Sequence, residues 1–249
     1  MEQFFPHEKL CVYAEAVKFA EVTIPLVDSW PSNVAVRDHM TRAIESMVTN
    51  LVKAARLQHT DQGTYNLECS LGSVLECAAC FDVALRRGLV DRSELQAGKQ
   101  RLQKVARMEV KLREAWCSSN VMQENAPPYS VEPHQFFLHE SLEVYKCSLQ
   151  VHEVLQTFVS PPERGNRYAR RIDELTTSLT LNIAEGNGRF SSLDHRKFVD
   201  TAEDSASKLV GYLDLAAAAW EENMDQAKSL LREVMAMLVA LGRHLEGKS

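Results

Sequence analysis

A cluster of basic residues carries the clearest binding chemistry in this sequence. Four arginines lie within eight residues at the start of a predicted helix, and three more cations follow the end of that helix: Arg164, Arg167, Arg170 and Arg171, then Arg189, Arg196 and Lys197. A guanidinium donates hydrogen bonds in a fixed planar fork, which suits phosphate or carboxylate. We therefore expect this cluster to bind an RNA backbone or the acidic face of a partner protein. The alternative is a solvated helix face neutralised by Glu163, Asp173 and Glu174.

A second polar set lies on the same predicted helix, which is otherwise apolar. Ser178, Asn182 and Glu185 follow one another at spacings of four and three residues, so they share one face. Gly186 and Gly188 come next, and either can supply the positive φ that ends a helix. Because buried polar side chains must be hydrogen-bonded, we expect the serine, the asparagine and the glutamate to tie this helix to a neighbouring one.

Familiar catalytic and metal-binding patterns are missing from the sequence. None of the eight histidines follows a glutamate by three residues, the arrangement that di-iron helical bundles require. Cys77 and Cys80 form the one close cysteine pair, and their helical setting favours packing over zinc binding. The sequence also lacks a phosphate loop and a nucleophile elbow. We therefore expect neither enzyme activity nor a metal or cofactor.

The sequence contains itself twice, with the second copy displaced by 132 residues. The matches at the start of each copy are Phe4, Phe5, His7, Glu8, Leu10, Val12 and Tyr13 with Phe136, Phe137, His139, Glu140, Leu142, Val144 and Tyr145. Further matches are Ser46, Asn50 and Ser73 with Ser178, Asn182 and Ser205. A constant offset through three predicted helices indicates duplication of a whole folding unit. The repeated His–Glu pairs favour a local structural role, such as capping, over an acid–base pair.

Helical periodicity dominates both copies. Apolar residues recur at spacings of three and four, and turn signals divide each copy into four helices joined by short connections. Paired prolines and small polar residues between the copies have the composition of a linker. We therefore predict an all-α fold of two tandem antiparallel four-helix bundles. The first unit covers residues 1–118, the linker 119–135 and the second unit 136–249.

Composition narrows the class of protein further. The chain has 249 residues, of which 45% are hydrophobic and 25% charged, and its net charge of −6 is not typical of a nucleic-acid-binding protein. It shows neither a signal-peptide pattern nor an apolar run of membrane-spanning length, so we expect a cytoplasmic protein. Six scattered cysteines do not repeat between the copies, which favours reduced thiols.

The sequence resembles a known family at the motif Asn182-Ile183-Ala184-Glu185-Gly186, followed by Gly188-Arg189. This family of four-helix bundles includes the S23 proteins, encoded by intervening sequences within 23S ribosomal RNA genes, and the accessory proteins of diversity-generating retroelements. The Leu142-Glu-Val-Tyr145 opening, the stretch from Ser192 to Phe198, and Ala202 and Ser205 extend the likeness. The resemblance implies a bacterial, non-enzymatic oligomer, and its retroelement members are implicated in binding a reverse transcriptase and its RNA.

Each copy keeps a different half of the signature of this family. The first copy has Asn50 and then Gly72-Ser73-x-x-Glu76. The second copy keeps the complete motif of its second helix, from Asn182 to Gly186, but carries Asp204-Ser205-x-x-Lys208 in its third helix. We expect Glu185 to face Lys208 in the second unit. In the first unit we expect Lys53 to face Glu76, so that the attraction between helices two and three has the opposite sign.

The sequence as a whole favours a non-catalytic binding and assembly module. The first hypothesis is an accessory subunit that contacts RNA, or a nucleic-acid-processing protein such as a reverse transcriptase, or both. The alternative is a purely protein-directed scaffold subunit of a larger effector complex, without RNA contact. A homo-oligomer is compatible with either, and the fusion of two units implies an altered ring or a closed pseudo-dimer.

Overall fold

The computed structural model describes residues 5–117, 128–129, 135–159 and 167–247. Its helices are α1 (Cys11–Asp28), α2 (Ala35–Arg56), α3 (Asp61–Arg86), α4 (Arg92–Trp116), α5 (Glu143–Val159), α6 (Arg167–Asn187), α7 (Ser192–Trp220) and α8 (Asp225–Glu246). Short 3₁₀ helices, η1 (Pro6–Lys9) and η2 (Leu138–Ser141), precede α1 and α5. Within these ranges extended structure is limited to a single bridge between Tyr129 and Phe137, so the predicted all-α fold is confirmed.

Side-chain caps and one glycine set several of the helix ends. The Thr60 hydroxyl accepts a hydrogen bond from the Gly63 amide and starts α3. Asp91 and Glu94 form a reciprocal capping box at the start of α4. Gly88 has a φ of +66° between these helices, a conformation that glycine adopts without strain. These local signals explain why the connection from α3 to α4 is short.

The eight helices form two sets of neighbours. In each set, consecutive helices pack side by side and the first helix also packs against the fourth. Apolar faces meet at the centre, with Phe19 and Phe81 in edge-to-face contact in the first set. Most of the predicted linker lies outside the described residues, so the division at 1–118, 119–135 and 136–249 stays a prediction.

The two sets contact each other through different faces. Helix α3 of the first unit packs against α5 and α6 of the second, and α2 also reaches α6. The equivalent of α3 in the second unit is α7, which is not among the helices that make most of this contact. We call this contact the internal joint. It is heterologous, because each unit contributes a surface that the other does not.

Two further expectations from the sequence concern membrane-spanning helices and the state of the cysteines. No helix in the described ranges has the combination of length and apolar character that crossing a bilayer requires. All six cysteines are free, and the Cys77 and Cys80 side chains are fully buried in α3. Burial raises the pKa of both buried thiols well above the usual value, which fits a packing role.

Candidate functional site

A serine pair joins α6 to α7 within the second unit. The Ser178 and Ser205 hydroxyl oxygens lie 3.0 Å apart, and the Asn182 amide donates to the Ser178 hydroxyl at 3.2 Å and to the Ser178 carbonyl at 2.7 Å. The predicted tie between helix two and a neighbouring helix is therefore confirmed for the serine. Asn182 contributes indirectly, because it holds the serine side chain from one turn away.

The first unit repeats this arrangement between α2 and α3. The Ser73 hydroxyl donates to the Ser46 hydroxyl at 2.8 Å, and the Asn50 amide donates to the same Ser46 oxygen at 3.1 Å. The same three residue types thus make the same contact in both units. We call each set a serine–asparagine contact, and it is a feature that the duplicated sequence shares inside each bundle.

The expected Glu185–Lys208 ion pair is wrong. Lys208 instead pairs with Asp204 on its own helix at 2.5 Å, where both side chains are exposed. Glu185 pairs with Arg189, which follows α6 by two residues. The serine pair already fills the contact between α6 and α7, and Glu185, two turns further along, points out of its bundle toward the first unit.

The expected Lys53–Glu76 pair is also wrong. His39 Nδ1 on α2 lies 3.2 Å from Glu76 Oε1, so α2 and α3 are joined by a histidine–glutamate contact instead. Lys53 is exposed, and within the described ranges it makes no ion pair. The physical reason is that Glu76 points along the side of α3 toward the internal joint, where it lies near Glu185.

Glycines allow the two halves of the family signature to meet across the internal joint. A Cβ added at Gly72 would lie 2.8 Å from Arg189 Nη2 and 3.1 Å from Glu185 Oε1. A Cβ added at Gly188 would lie 2.9 Å from the Leu75 Cδ1 methyl. Any larger residue would therefore force the units apart or displace these side chains. The half kept by the first copy and the half kept by the second are in direct contact.

Charges at this contact are partly buried. Arg189 Nη1 lies 3.7 Å from the Cys69 sulfur, and its side chain is nearly enclosed. Burial and the nearby Glu76 carboxylate raise the pKa of Glu185 to about 7, although Arg189 opposes this. Glu185 is therefore divided between its protonated and ionised forms at neutral pH.

A buried lysine forms a second part of the internal joint. Lys99 on α4 donates to both carboxylate oxygens of Asp82 at 2.6 Å and to Glu140 of the second unit at 2.8 Å. The Tyr145 hydroxyl donates to Asp82 at 2.7 Å. Although burial favours the neutral amine, the two carboxylates raise the pKa of Lys99, so it stays charged.

Three aromatic rings of the second unit lie beside this lysine. Phe137 stacks on His139 with ring centroids 5.7 Å apart, and His139 meets the edge of Tyr145 at 4.7 Å. Burial and the Lys99 charge lower the pKa of His139 well below its usual value, so the imidazole is neutral. The Glu140 carboxylate accepts the Phe136 amide at 2.9 Å, which matches the capping role expected for this His–Glu pair.

The same place brings together three side chains that could in principle bind a metal ion. Ligand atoms of Asp82, His139 and Glu140 all lie within 4.8 Å of one another. The Lys99 ammonium already bonds to both carboxylates and balances their charge. The arrangement is therefore a hydrogen-bonded ion cluster that holds the two units together, in which lysine is the cation.

A buried ion pair forms the third part of the internal joint. Arg87 of α3 and Asp173 of α6 lie 2.6 Å apart, with side chains only 4% and 7% exposed. Asp173 also accepts the Ala35 amide at the start of α2, at 2.8 Å. Asp173 was expected to neutralise the arginine cluster on its own helix, and it instead binds the first unit. A pair this buried is costly to break, because the remaining charge would be left without a partner.

The predicted basic cluster is dispersed in the structure. Arg164 lies outside the described residues, and Arg189 belongs to the internal joint. Arg196 contacts three carboxylates on α7 and α8, at 2.8 Å to Asp200, 3.1 Å to Glu203 and 3.5 Å to Glu246. Neither of these two described arginines is available to a ligand without losing its present contacts.

The remaining members of the cluster are exposed but paired. Arg170 and Arg171 share the Glu174 carboxylate at 3.1 and 2.6 Å, and Lys197 pairs with Asp194 at 2.7 Å. Arg167 lies over the Tyr168 ring at 5.2 Å. The three arginines at the start of α6 and Lys197 are therefore the part of the predicted cluster that could still contact a partner.

Sequence analysis missed a buried carboxyl group in the first unit. Glu109 of α4 lies 2.5 Å from the Ser70 hydroxyl, which is also 3.0 Å from the Met47 carbonyl. Burial raises the pKa of Glu109 to about 8, against the lowering effect of the hydrogen bond to Ser70. A protonated carboxyl can donate to the serine while the serine donates to the carbonyl. A glutamate at an apolar position of the helix pattern was the available signal.

Comparison with known proteins gives one match. The family model described as 23S rRNA-intervening sequence protein matches residues 8–111, which include α1 to α3 and most of α4. No curated protein and no solved structure matches the chain. The resemblance seen in the sequence rested mainly on the second copy, whereas this match covers the first copy, in which Gly72-Ser73-x-x-Glu76 lies. Through its first unit, the chain is similar to the 23S rRNA-intervening sequence protein family.

Proposed function

We propose that this protein is a non-catalytic scaffold that binds another protein through faces of its helical units. The observation that carries this proposal is the aromatic group at the start of the first unit. Phe5, His7 and Tyr13 repeat the rings that the second unit buries in the internal joint, and Phe5 is 67% exposed. His7 and Tyr13 are half-buried beside it, and an exposed aromatic ring on such a group favours a protein-binding surface.

The charge pattern supports a protein-directed function over an RNA-directed one. Of the described basic residues in the predicted cluster, all except Arg167 have a carboxylate partner, and the chain is acidic overall. Phosphate binding would have to compete with these carboxylates. RNA-binding surfaces more commonly present unpaired cations along a groove.

RNA binding remains a second candidate because of one groove. Arg42 and Arg170 lie along an open groove of about 650 Å³ between α2 and the start of α6. Both side chains are exposed, and their pairing with nearby carboxylates is of the kind that contributes little in water. A phosphate backbone could replace these partners at low salt.

Purification from the native host at mild salt, with and without ribonuclease, tests the proposal. A scaffold is expected to co-elute with another protein at a mass that ribonuclease does not change. An absorbance ratio typical of nucleic acid, lost with ribonuclease, would overturn it in favour of RNA binding. Recovery of the chain with neither partner would also contradict it.

Charge variants sharpen this test. If RNA is the ligand, combined replacement of Arg167, Arg170 and Arg171 with glutamine should abolish binding, and the affinity of the unaltered protein should fall steeply with salt. The matched control removes three exposed basic residues elsewhere, Arg101, Lys111 and Arg243. Under the scaffold proposal both triple variants keep the same protein partner.

A further inference from the structure

Two carboxyl groups from different units lie near each other at the internal joint. Glu76 belongs to α3 of the first unit and Glu185 to α6 of the second, and their side chains are only 19% and 18% exposed. Gly72 lets Glu185 approach α3, because a Cβ added there would lie 3.1 Å from Glu185 Oε1. We call this place the glutamate contact (Gly72, Glu76, Glu185 and Arg189). Two ionised carboxylates repel each other strongly in such a partly buried place.

One arginine supplies the permanent positive charge of the glutamate contact. Arg189 donates to Glu185 through Nη2, and its Nη1 lies 3.7 Å from the Cys69 sulfur. The Glu76 carboxylate has a histidine as its neighbour instead, with His39 Nδ1 of α2 at 3.2 Å. When both glutamates are ionised, the contact therefore carries one unbalanced negative charge unless His39 is protonated. A proton on either carboxyl group removes this imbalance.

The other groups that face Glu185 leave this balance unchanged. On α2, Arg42 Nη2 lies 3.4 Å from His39 Nδ1, but this arginine pairs with a carboxylate of its own helix. On α7, His195 lies beside Gly186, where an added Cβ would be 2.9 Å from His195 Cδ2. Burial lowers the pKa of His195 to about 4, so its ring is neutral at neutral pH.

Closure of the contact and protonation of Glu185 favour each other. Burial and the Glu76 carboxylate raise the pKa of Glu185 to about 7, from 4.5, although Arg189 and His39 oppose this. A glutamate released into water regains its ordinary pKa. The closed contact thus holds a proton that the open contact gives up. Its stability is therefore complete below about pH 4.5 and falls as the pH rises to about 7.

We propose that the glutamate contact is a pH-sensitive switch between the two units. With a proton on Glu185 the contact stays closed, and loss of that proton lets the end of α6 and Arg189 move away from α3. Opening is local, because the Lys99 ion cluster and the Arg87–Asp173 pair hold the rest of the internal joint. The inference concerns the position of the two units and is independent of which partner the scaffold binds.

Labelling of the cysteines with a maleimide tests the inference in the full chain. Cys69 contacts Arg189 and reports opening, whereas the exposed Cys117 corrects for the effect of pH on the reagent. Mass spectrometry of the peptides measures the labelling of each cysteine separately. Between pH 5.5 and pH 8, the rate at Cys69 relative to Cys117 is expected to rise by roughly tenfold or more. This rise follows from the difference between the pKa of Glu185 in the open and closed contact.

Three glutamine variants separate the switch from general effects of pH. Glu185→Gln keeps an acceptor for Arg189 but cannot ionise, so the ratio should no longer depend on pH. Glu233→Gln removes an exposed glutamate elsewhere in the second unit and should behave like the unaltered protein. Because a histidine can also change charge near neutral pH, His39→Gln is the third variant, and it should keep most of the rise.

Two further observations connect the labelling to the internal joint. Gly72→Ala adds a Cβ 2.8 Å from Arg189 Nη2, so it should increase the labelling of Cys69 at both pH values. Cys77 and Cys80 are fully buried within α3. Their protection at both pH values is expected, because the first unit stays folded while the contact opens.

Several results would overturn the inference. A labelling ratio that does not change with pH contradicts the switch, as does a change that persists in Glu185→Gln or disappears in His39→Gln. Labelling of Cys77 and Cys80 that rises together with that of Cys69 would assign the change to unfolding of the first unit. Unchanged labelling in Gly72→Ala would show that the glutamate contact does not control access to Cys69. Each of these results leaves the scaffold function, which co-elution tests, untouched.

Discussion

The two units share their internal contacts but differ in the surfaces that meet other units. The serine–asparagine contact is the same in both, within a few tenths of an ångström. The three equivalent aromatic rings at the start of each unit, by contrast, are fully buried in the second unit, whereas in the first unit Phe5 is exposed and His7 and Tyr13 are half-buried. Residues that hold a bundle together are thus repeated, whereas residues such as Asp173 and Thr41 differ according to what each unit faces. The comparison therefore distinguishes the residues that stabilise each bundle from the residues that join the units.

Breaking the buried pair of the internal joint should have the largest effect. Asp173→Ala leaves Arg87 buried without a partner, so we expect a loss of about 3 to 5 kcal/mol in the free energy of unfolding, measured by urea denaturation. Thr41→Ala, at the equivalent place in the first unit, should change stability by less than about 0.5 kcal/mol. The double variant Arg87→Ala/Asp173→Thr gives the internal joint the residues found at the equivalent positions of the repeat, Ala219 and Thr41. It should recover much of the loss. A small effect of the single variant would show that the pair is not essential to the joint.

Replacing the buried glutamate of the first unit sharpens the comparison through pH. Leu238 occupies the position of Glu109 in the second unit, so one bundle core carries a carboxyl group where the other is apolar. The pKa of Glu109 is raised to about 8, from 4.5, so its stabilising effect is complete below about pH 4.5 and is lost as the pH rises to about 8. At pH 9, Glu109→Gln should therefore raise the free energy of unfolding by about 2 to 4 kcal/mol.

At pH 4.5 the same variant should have little effect, because both side chains are then neutral. The matched control is Glu114→Gln, which changes an exposed glutamate on the same helix and should shift stability by less than about 0.5 kcal/mol at either pH. Equal effects of Glu109→Gln at both pH values would contradict a raised pKa.

Removing a hydroxyl from the serine–asparagine contact should give the smallest loss of stability, and the loss should be equal in both units. Ser73→Ala and Ser205→Ala each remove one hydroxyl from the serine pair, so each should reduce stability by about 1 kcal/mol in urea denaturation. Costs that differ by more than about 1 kcal/mol between the units would show that the two contacts are not energetically equivalent, despite their matching geometry.

Much of the fold could be predicted from the sequence because local signals and the repeat agree. The spacing of apolar residues indicated eight helices, and the described ranges contain eight α-helices. The serine pair was also predictable, since a repeated polar residue on an apolar helix must find a hydrogen-bond partner. These features depend on contacts inside one unit, which the repeat shows twice.

The internal joint could not be predicted in the same way. Glu185 was predicted to pair with Lys208 because both lie on neighbouring helices of one bundle, but it pairs with Arg189 of its own unit, beside Gly72 of the first unit. The pairs Asp82–Lys99 and Asp214–Lys228 do not follow the repeat, because three fewer residues separate the second pair in the sequence than the first. Lys99 and Lys228 are therefore offset by 129 residues, while Asp82 and Asp214 are offset by 132.

The covalent link between the units limits how many bundles an assembly can contain. Within one chain the joint forms at an effective concentration set by the connection, independent of how much protein is present. Each chain therefore enters any larger structure as a preformed pair. A closed ring built from such chains contains an even number of bundles, and odd-numbered rings are excluded by the way the sequence is joined.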